Sequence, residues 1–185
     1  MATHCRALRP SAQPAASWAG AAPAKSDYTP VVKVLIVGCG RVGARLARDL
    51  SDHGHEVTVV DSSRQAFDRL GQDFPGRMVL GNGTDQHVLE EAGAAGMDWF
   101  ISITNGDNRN IMSAQVAREI FQIPKVMTRI YDPIREQVYR EMGLYTYCPT
   151  VVGAAIARTF FEQGSEAADR ARAAVVVSGS AGSDV

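Results

Sequence analysis

Cysteine is scarce in this chain of 185 residues, and the three present, Cys5, Cys39 and Cys148, are odd in number and far apart. That argues against a disulfide framework and a paired-cysteine metal site, and it fits a reducing cytoplasm. Charge of either sign is not in excess: 19 Lys and Arg stand against 20 Asp and Glu, a formal net charge of −1, and the basic residues are dispersed. Neither a nucleic-acid footprint nor a polybasic membrane-binding surface is expected. Long hydrophobic runs are missing too. No stretch approaches the ~20 apolar residues that span a bilayer, so no direct membrane insertion is expected. What the chain does have is 45% apolar residues, ample for one α/β core with appendages.

The ends lack pattern as well. Residues 1–30 are rich in Ala, Pro and Ser, show no apolar periodicity, and read as a disordered leader. Arg6 and Arg9 resemble the basic end of a targeting sequence, but no apolar stretch of ~7–15 residues follows, which argues against a secretory signal. Residues 167–185 pass from an Ala/Arg segment into Ser-Gly-Ser-Ala-Gly-Ser and read as a flexible tail. Within it, only 173–177 suits a short strand or helix end.

Between the tails, the run VVKVLIVGCGRVGARLARDLSDHGHEVTVVD at 31–61 carries the strongest signal. Its opening is near-continuously apolar, as in a parallel strand covered on both faces. The strand enters Gly38-Cys39-Gly40-Arg41-Val42-Gly43, followed by a helical pattern and a second strand that ends in Asp61. In such a βαβ unit the first glycine permits the tight turn, the second lets the backbone approach a pyrophosphate, and the third lets helix and strand pack closely. The helix start then offers unpaired N–H groups to phosphates. An acid about 20 residues on meets the adenosine ribose hydroxyls.

Apolar runs and helical patterns continue to alternate. Strands are expected at 31–37, 56–60, 77–80, 99–103, 125–130 and 145–147, and helices at 42–53, 64–72, 85–92, 108–121, 133–142 and 151–163. The fourth helix shows Met112, Val116 and Ile120 at successive i+4 positions, backed by Ala117 and Phe121, which predicts one buried face. The pattern implies a Rossmann-like, doubly wound parallel sheet of about six strands at 31–148, with a further helix at 149–166. Ligands of such sheets sit at the carboxyl ends of the strands. Those ends are polar here: the glycine loop, Asp61, Gly81-Asn82-Gly83-Thr84-Asp85, Thr104-Asn105-Gly106-Asp107-Asn108, and Arg129. Turn and cap chemistry is an alternative reading of the third and fourth groups.

In VLIVGCGRVGARLA, VVD, GNGTD at 81–85, ITNGDNRNIMSAQVA at 103–117, TRI at 128–130 and CPT at 148–150, the chain resembles the regulator of potassium conductance N-terminal domain. This is the TrkA-N or KTN domain of bacterial Trk/Ktr-type potassium uptake systems. The resemblance implies a cytoplasmic regulatory subunit, not an enzyme, that binds NAD(H) or ATP/ADP. It would assemble as a homodimer and higher ring beneath a membrane-embedded potassium transporter subunit. By position, Gly38, Gly40 and Gly43 would hold the phosphates, Arg41 would contact phosphate from its own or a neighbouring subunit, and Asp61 would take the ribose. Cys39, Val42 and Ser62 adjoin these, while Asn82, Thr84, Thr104 and Arg129 would complete the pocket. The helix from Val151, with Gly153, Ala154, Ala155 and Ala157, would be the crossover helix that embraces a partner subunit; an ordinary amphipathic end helix is its other reading. Family members usually continue into a second ligand-binding domain, and here about twenty small or polar residues follow instead.

Two rival functions share the fold: an NAD-dependent oxidoreductase and a nucleotide-binding interaction module whose site is vestigial. An oxidoreductase needs a proton donor, but His53 and His55 fall at the amino-terminal side of the sheet and His87 in a helix-cap region. Cys39, near a helix start, admits a redox role or simple accommodation in a tight turn. Cys148, Trp99 and Phe100 read as packing. The residues leave NAD(H) and ATP/ADP open, since both present free ribose hydroxyls to Asp61.

Overall fold

The computed structural model describes residues 30–176. Residues 1–29 of the expected leader at 1–30 and the last nine residues of the expected tail lie outside the described residues. Strand β1 (Lys33–Val37) is buried on both faces for the reason its sequence suggests. Val34 and Ile36 enter one core with Ala44, Ala47, Val57, Val59 and Leu70, while Leu35 and Val37 enter another with Val60, Leu89, Phe100, Ala114 and Ala117. Alternation is thus present in direction but absent in polarity, because helices cover each side.

Helix α1 (Arg41–Asp52) leads to β2 (Glu56–Asp61), a 3₁₀ segment (Arg64–Leu70) to β3 (Arg77–Leu80), and α2 (Gln86–Glu91) to β4 (Trp99–Ser102). Then α3 (Asp107–Glu119), β5 (Lys125–Arg129), α4 (Pro133–Glu141) and β6 (Tyr145–Tyr147) complete the sheet. The order is β3-β2-β1-β4-β5-β6, with every pairing parallel. This is the Rossmann-like doubly wound arrangement expected from the sequence. From β1 the chain works outward to β3, then returns past β1 to β4 and works outward the other way. The loops after β1 and β4 therefore diverge and leave a crevice at the carboxyl edge.

Three local expectations need correction. In α3, Met112 is 57% and Ile120 50% exposed, whereas Asn110, Ile111, Ser113, Ala114 and Ala117 are buried. The sheet-facing stripe is made mostly of small and hydrogen-bonded residues that let the helix lie close to β4 and β5; Val116, Ala117 and Phe121 of the expected face do pack on the core, whereas Met112 and Ile120 fall outside it. The 64–72 segment is 3₁₀ rather than α-helical. Finally, the first part of the supposed tail is ordered: α5 (Pro149–Gln163) ends at Gly164, whose φ of +80° reverses the chain into α6 (Ser165–Val176). Ala167 and Ala168 are buried there. The Ala- and Arg-rich composition of this stretch favours helix by propensity, without a large apolar face.

Gly43 sets the height of α1 above the sheet. A Cβ at this position would lie 1.9 Å from the Gly38 carbonyl oxygen and 3.2 Å from Ile103 Cγ2. Gly43→Ala must push the helix off β1, at a cost of about 2–3 kcal/mol, or roughly 5–10 °C in Tm for a domain of this size. Thermal unfolding followed by circular dichroism checks this, and a Tm within about 1 °C of wild type would contradict the packing argument.

Candidate functional site

The carboxyl edge of the sheet opens into a cleft of about 510 Å³, within the size range of small-molecule sites. Gly38 begins its floor with φ +109°, a conformation that L side chains rarely adopt, and its N–H donates to the Val60 carbonyl at 2.8 Å. At Gly40 an added Cβ would meet nothing within 4 Å, so this glycine leaves space rather than relieving a contact. No side chain caps α1 and no acid stands in its first turn. Its leading N–H groups therefore keep their donor capacity for whatever occupies the cleft.

Asp61 ends β2 and ties the glycine loop to the sheet. Its Oδ2 accepts the Cys39 N–H at 2.7 Å and its Oδ1 accepts the Ser63 N–H at 2.8 Å. Two backbone donors fix the carboxylate's orientation, and its unused lone pairs can accept from a diol. Cys39 is fully buried, its thiol 3.3 Å from the Ala66 carbonyl. Burial, then the Asp61 carboxylate, pushes that thiol up to about 11, with Arg69 opposing. The geometry is that of accommodation in a turn, and the thiol is the reverse of activated.

The opposite wall depends on a residue the sequence reading did not single out. Asn110, fully buried on α3, accepts the Thr104 N–H at 2.8 Å and the Thr104 hydroxyl at 2.7 Å through Oδ1. Its Nδ2 donates to the carbonyls of Thr104 and Arg129, each at 2.9 Å. Ser102 Oγ joins the Asn110 carbonyl to Thr128 Oγ1, both at 2.8 Å. One carboxamide thus holds the ends of β4 and β5 together. Asp107 extends the brace by accepting the N–H groups of Tyr131 and Asp132. The available signal was the i, i+3, i+4, i+7 stripe Asn110-Ser113-Ala114-Ala117, which is small or polar at every position.

Of the candidate residues, Gly38, Cys39, Gly40, Arg41, Val42, Asp61, Ser62, Asn82, Thr84, Thr104 and Arg129 line the cleft, whereas Gly43 lies beneath it. Asn82 and Thr84 also serve their own turn, with Asn82 Oδ1 accepting from the Thr84 N–H and hydroxyl. Arg69, Arg109 and Tyr131 line the cleft as well and were not singled out from the sequence. The Arg129 guanidinium stands 4.6 Å from the centre of the Tyr131 ring. Among the described residues no histidine lines the cleft; His87 faces Glu90 instead.

Fold and cleft together define a Rossmann-like domain with a carboxyl-edge site bounded by a glycine loop and a strand-end acid. The TrkA-N domain family matches residues 34–152, and the chain belongs to that family. The Trk system potassium uptake protein TrkA of Streptomyces coelicolor is 48% identical over 113 residues, 61% of this chain and 51% of the relative. The chain spans about half the length of the curated relatives it matches. Among solved structures, the Kef CTD of Shewanella denitrificans in AMP bound form has a TM-score of 0.62 at 22% identity, over 79% of this chain and 92% of that one. The GsuK channel bound to NAD has a TM-score of 0.57 at 22% identity, over 69% of this chain and 23% of that one. At these identities both show likeness of fold.

The raised Cys39 thiol generates a pH prediction. Because the folded value, about 11, exceeds the ordinary 9.0, its contribution to stability is complete below pH 9 and disappears as pH rises toward 11. At pH 8 the thiolate is therefore scarcer than in a free cysteine. Iodoacetamide labelling followed by peptide mapping should find Cys39 unmodified in the folded chain and modified in urea. Labelling of the folded chain at the rate of a free thiol would contradict its burial.

Proposed function

We propose that the chain is a nucleotide-sensing regulatory subunit of a potassium uptake system, binding NAD(H) or ATP/ADP in the cleft and passing its occupancy to a membrane-embedded transporter. The observation that carries this reading is the juxtaposition of an uncapped helix N-terminus, vacant space at Gly40 and the oriented Asp61 carboxylate in one cleft. A pyrophosphate fits the first two and an adenosine ribose the third. Membership of the TrkA-N family and the name of the Streptomyces relative supply the biological setting. The AMP and NAD bound to the two structural neighbours support an adenine nucleotide.

The proposed place of action is the cytoplasmic face of the membrane, reached through the transporter. Among the described residues no helix is long and apolar enough to cross a membrane. An oxidoreductase is the weaker reading: among the described residues no histidine lines the cleft, and the Tyr131 ring there is stacked with the Arg129 guanidinium. The reading of self-assembly rests on α5, which has no buried residue although it carries Val151, Phe160 and Phe161. Phe161 is 89% exposed. An apolar helix left open in this way suits a second copy, with Gly153, Ala154, Ala155 and Ala157 admitting close backbone approach.

In calorimetric titration NAD should bind more tightly than NADP, whose 2′-phosphate meets a carboxylate, and Asp61→Ala should weaken every adenine nucleotide about tenfold or more. Gly40→Val should abolish binding in a chain that circular dichroism shows to be folded. NADP tighter than NAD, or a folded Gly40→Val protein of unchanged affinity, would refute the site. Light scattering should show at least a dimer, reduced by Ala154→Glu, and loss of the gene should impair growth at limiting potassium. A monomer at micromolar concentration, or turnover of NADH with a small carbonyl substrate, would favour the oxidoreductase instead.

A further inference from the structure

Among the described residues β3 ends the sheet on one side, with β2 as its neighbour. The connection from β2 is the short 3₁₀ segment, which packs on the α1 side of the sheet through Ala66 and Leu70 and leaves β3 uncovered there. Met78 is 48% and Leu80 46% exposed on that side, while Val79 between them is buried on the other face with Val88 and Leu89 of α2. Two large apolar side chains at alternate positions of an open strand mark an association surface. Proline, lysine and bulges, the devices that commonly protect an edge, are missing from 77–80.

The ladder says which backbone groups are free. The Gly81 N–H donates to the Asp61 carbonyl at 2.9 Å and the Gly38 N–H to the Val60 carbonyl at 2.8 Å, so Asp61 faces β3 and Val60 faces β1. In a parallel pair, alternate residues turn both their groups toward the same neighbour. Arg77 and Val79 therefore serve β2, and Met78 and Leu80 present their N–H and C=O groups outward. A strand with outward residues two apart is complementary to itself run antiparallel. A twofold axis at Val79 sets Met78 opposite Leu80 of the second copy, each such pair exchanging both main-chain hydrogen bonds and stacking the exposed methionine on the exposed leucine.

The charges agree with that register. Arg77, the charged residue of β3, forms no ion pair among the described residues and shares the Val79 face. Antiparallel pairing carries it to the carboxyl end of the second copy's β3, where Asp85 caps α2 on that same face. The Arg77 side chains of the two copies lie at opposite ends of the contact, so like charges do not meet.

We infer that the β3 edge is an interface for a second copy of this chain, paired antiparallel about Val79 so that the two sheets continue as one. It is separate from the α5 contact proposed above and depends neither on that contact nor on a nucleotide.

Disulfide trapping reads the register. In chains that carry Cys5→Ser, so that the remaining native thiols are the buried Cys39 and Cys148, Met78→Cys and Leu80→Cys are made singly, mixed and oxidised. Opposite residues of a hydrogen-bonded antiparallel pair have Cα atoms about 5.5 Å apart, within disulfide reach, whereas the two copies of either residue are offset along the strands. The mixture should give a covalent dimer on a non-reducing gel, and each chain alone at least tenfold less. Both positions are exposed, so the variants should fold, as circular dichroism checks. Sedimentation gives a second reading. Ala154→Glu, which removes the α5 contact, should leave a dimer at high micromolar concentration, and adding Met78→Lys with Leu80→Lys, which sets cations opposite one another, should leave a monomer. A monomer with Ala154→Glu alone, a dimer that the lysines leave intact, or a mixture that cross-links no better than the single chains overturns the interface.

Discussion

The divergence of the chain after β1 and β4 is the constraint on which the rest of the structure depends. Two neighbouring parallel strands whose connections leave to opposite faces cannot have their carboxyl ends covered by the chain itself. That gap would be a soft region of loops without polar braces on each side. Asp61 supplies one, drawing in the Cys39 and Ser63 N–H groups. Asn110 supplies the other, satisfying Thr104 and Arg129 with one carboxamide. A buried polar group with its partners in place stabilises modestly, but leaving a partner unpaired costs about 1–3 kcal/mol, which makes the fully buried Asn110 brace rigid, while the half-buried Asp61 is held by its two backbone donors. The cleft is thus a consequence of topology, and its shape a consequence of two side chains.

The two braces differ in how plainly the sequence announces them. Asp61 sits at a strand end at the spacing of a recognised unit, so its place and its neighbours Gly38, Gly40 and Gly43 were legible from 31–61 alone. The strands were equally legible, because a sheet covered on both faces demands near-continuous apolar runs. Asn110 was hidden for a physical reason. A helix face that lies close to a sheet is built of residues small enough to approach it, and hydrophobic periodicity weighs only large ones. Met112 and Ile120 therefore drew attention to the wrong side of α3. Helix α6 escaped for the opposite reason: Ser165–Val176 lacks large apolar residues, and its order comes from helix propensity, the reversal at Gly164 and two buried alanines.

The same distinction runs through the site. The phosphate-facing loop and the ribose-facing acid could be read because their chemistry is carried by residue type at fixed spacing. The far wall could be read only in part. Arg129 stood at a strand end, but its burial and the lack of an acceptor at its Nε are tertiary facts that no local pattern carries. Cys39 illustrates the converse. Proximity to a helix start suggests an activated thiol, and the structure instead buries it beside a carboxylate, which raises its affinity for its proton.

The central claim is that an adenine nucleotide occupies the space between these two braces. Amide chemical-shift mapping of the isotopically labelled chain during titration with ADP tests it most directly. The account predicts saturable shifts concentrated at the backbone N–H groups of Gly40, Arg41 and Val42, at Ser62 and Ser63 beside the Asp61 carboxylate, and at Thr104 on the opposite wall. Saturable shifts confined to residues outside the cleft, or none at millimolar ADP, would contradict it.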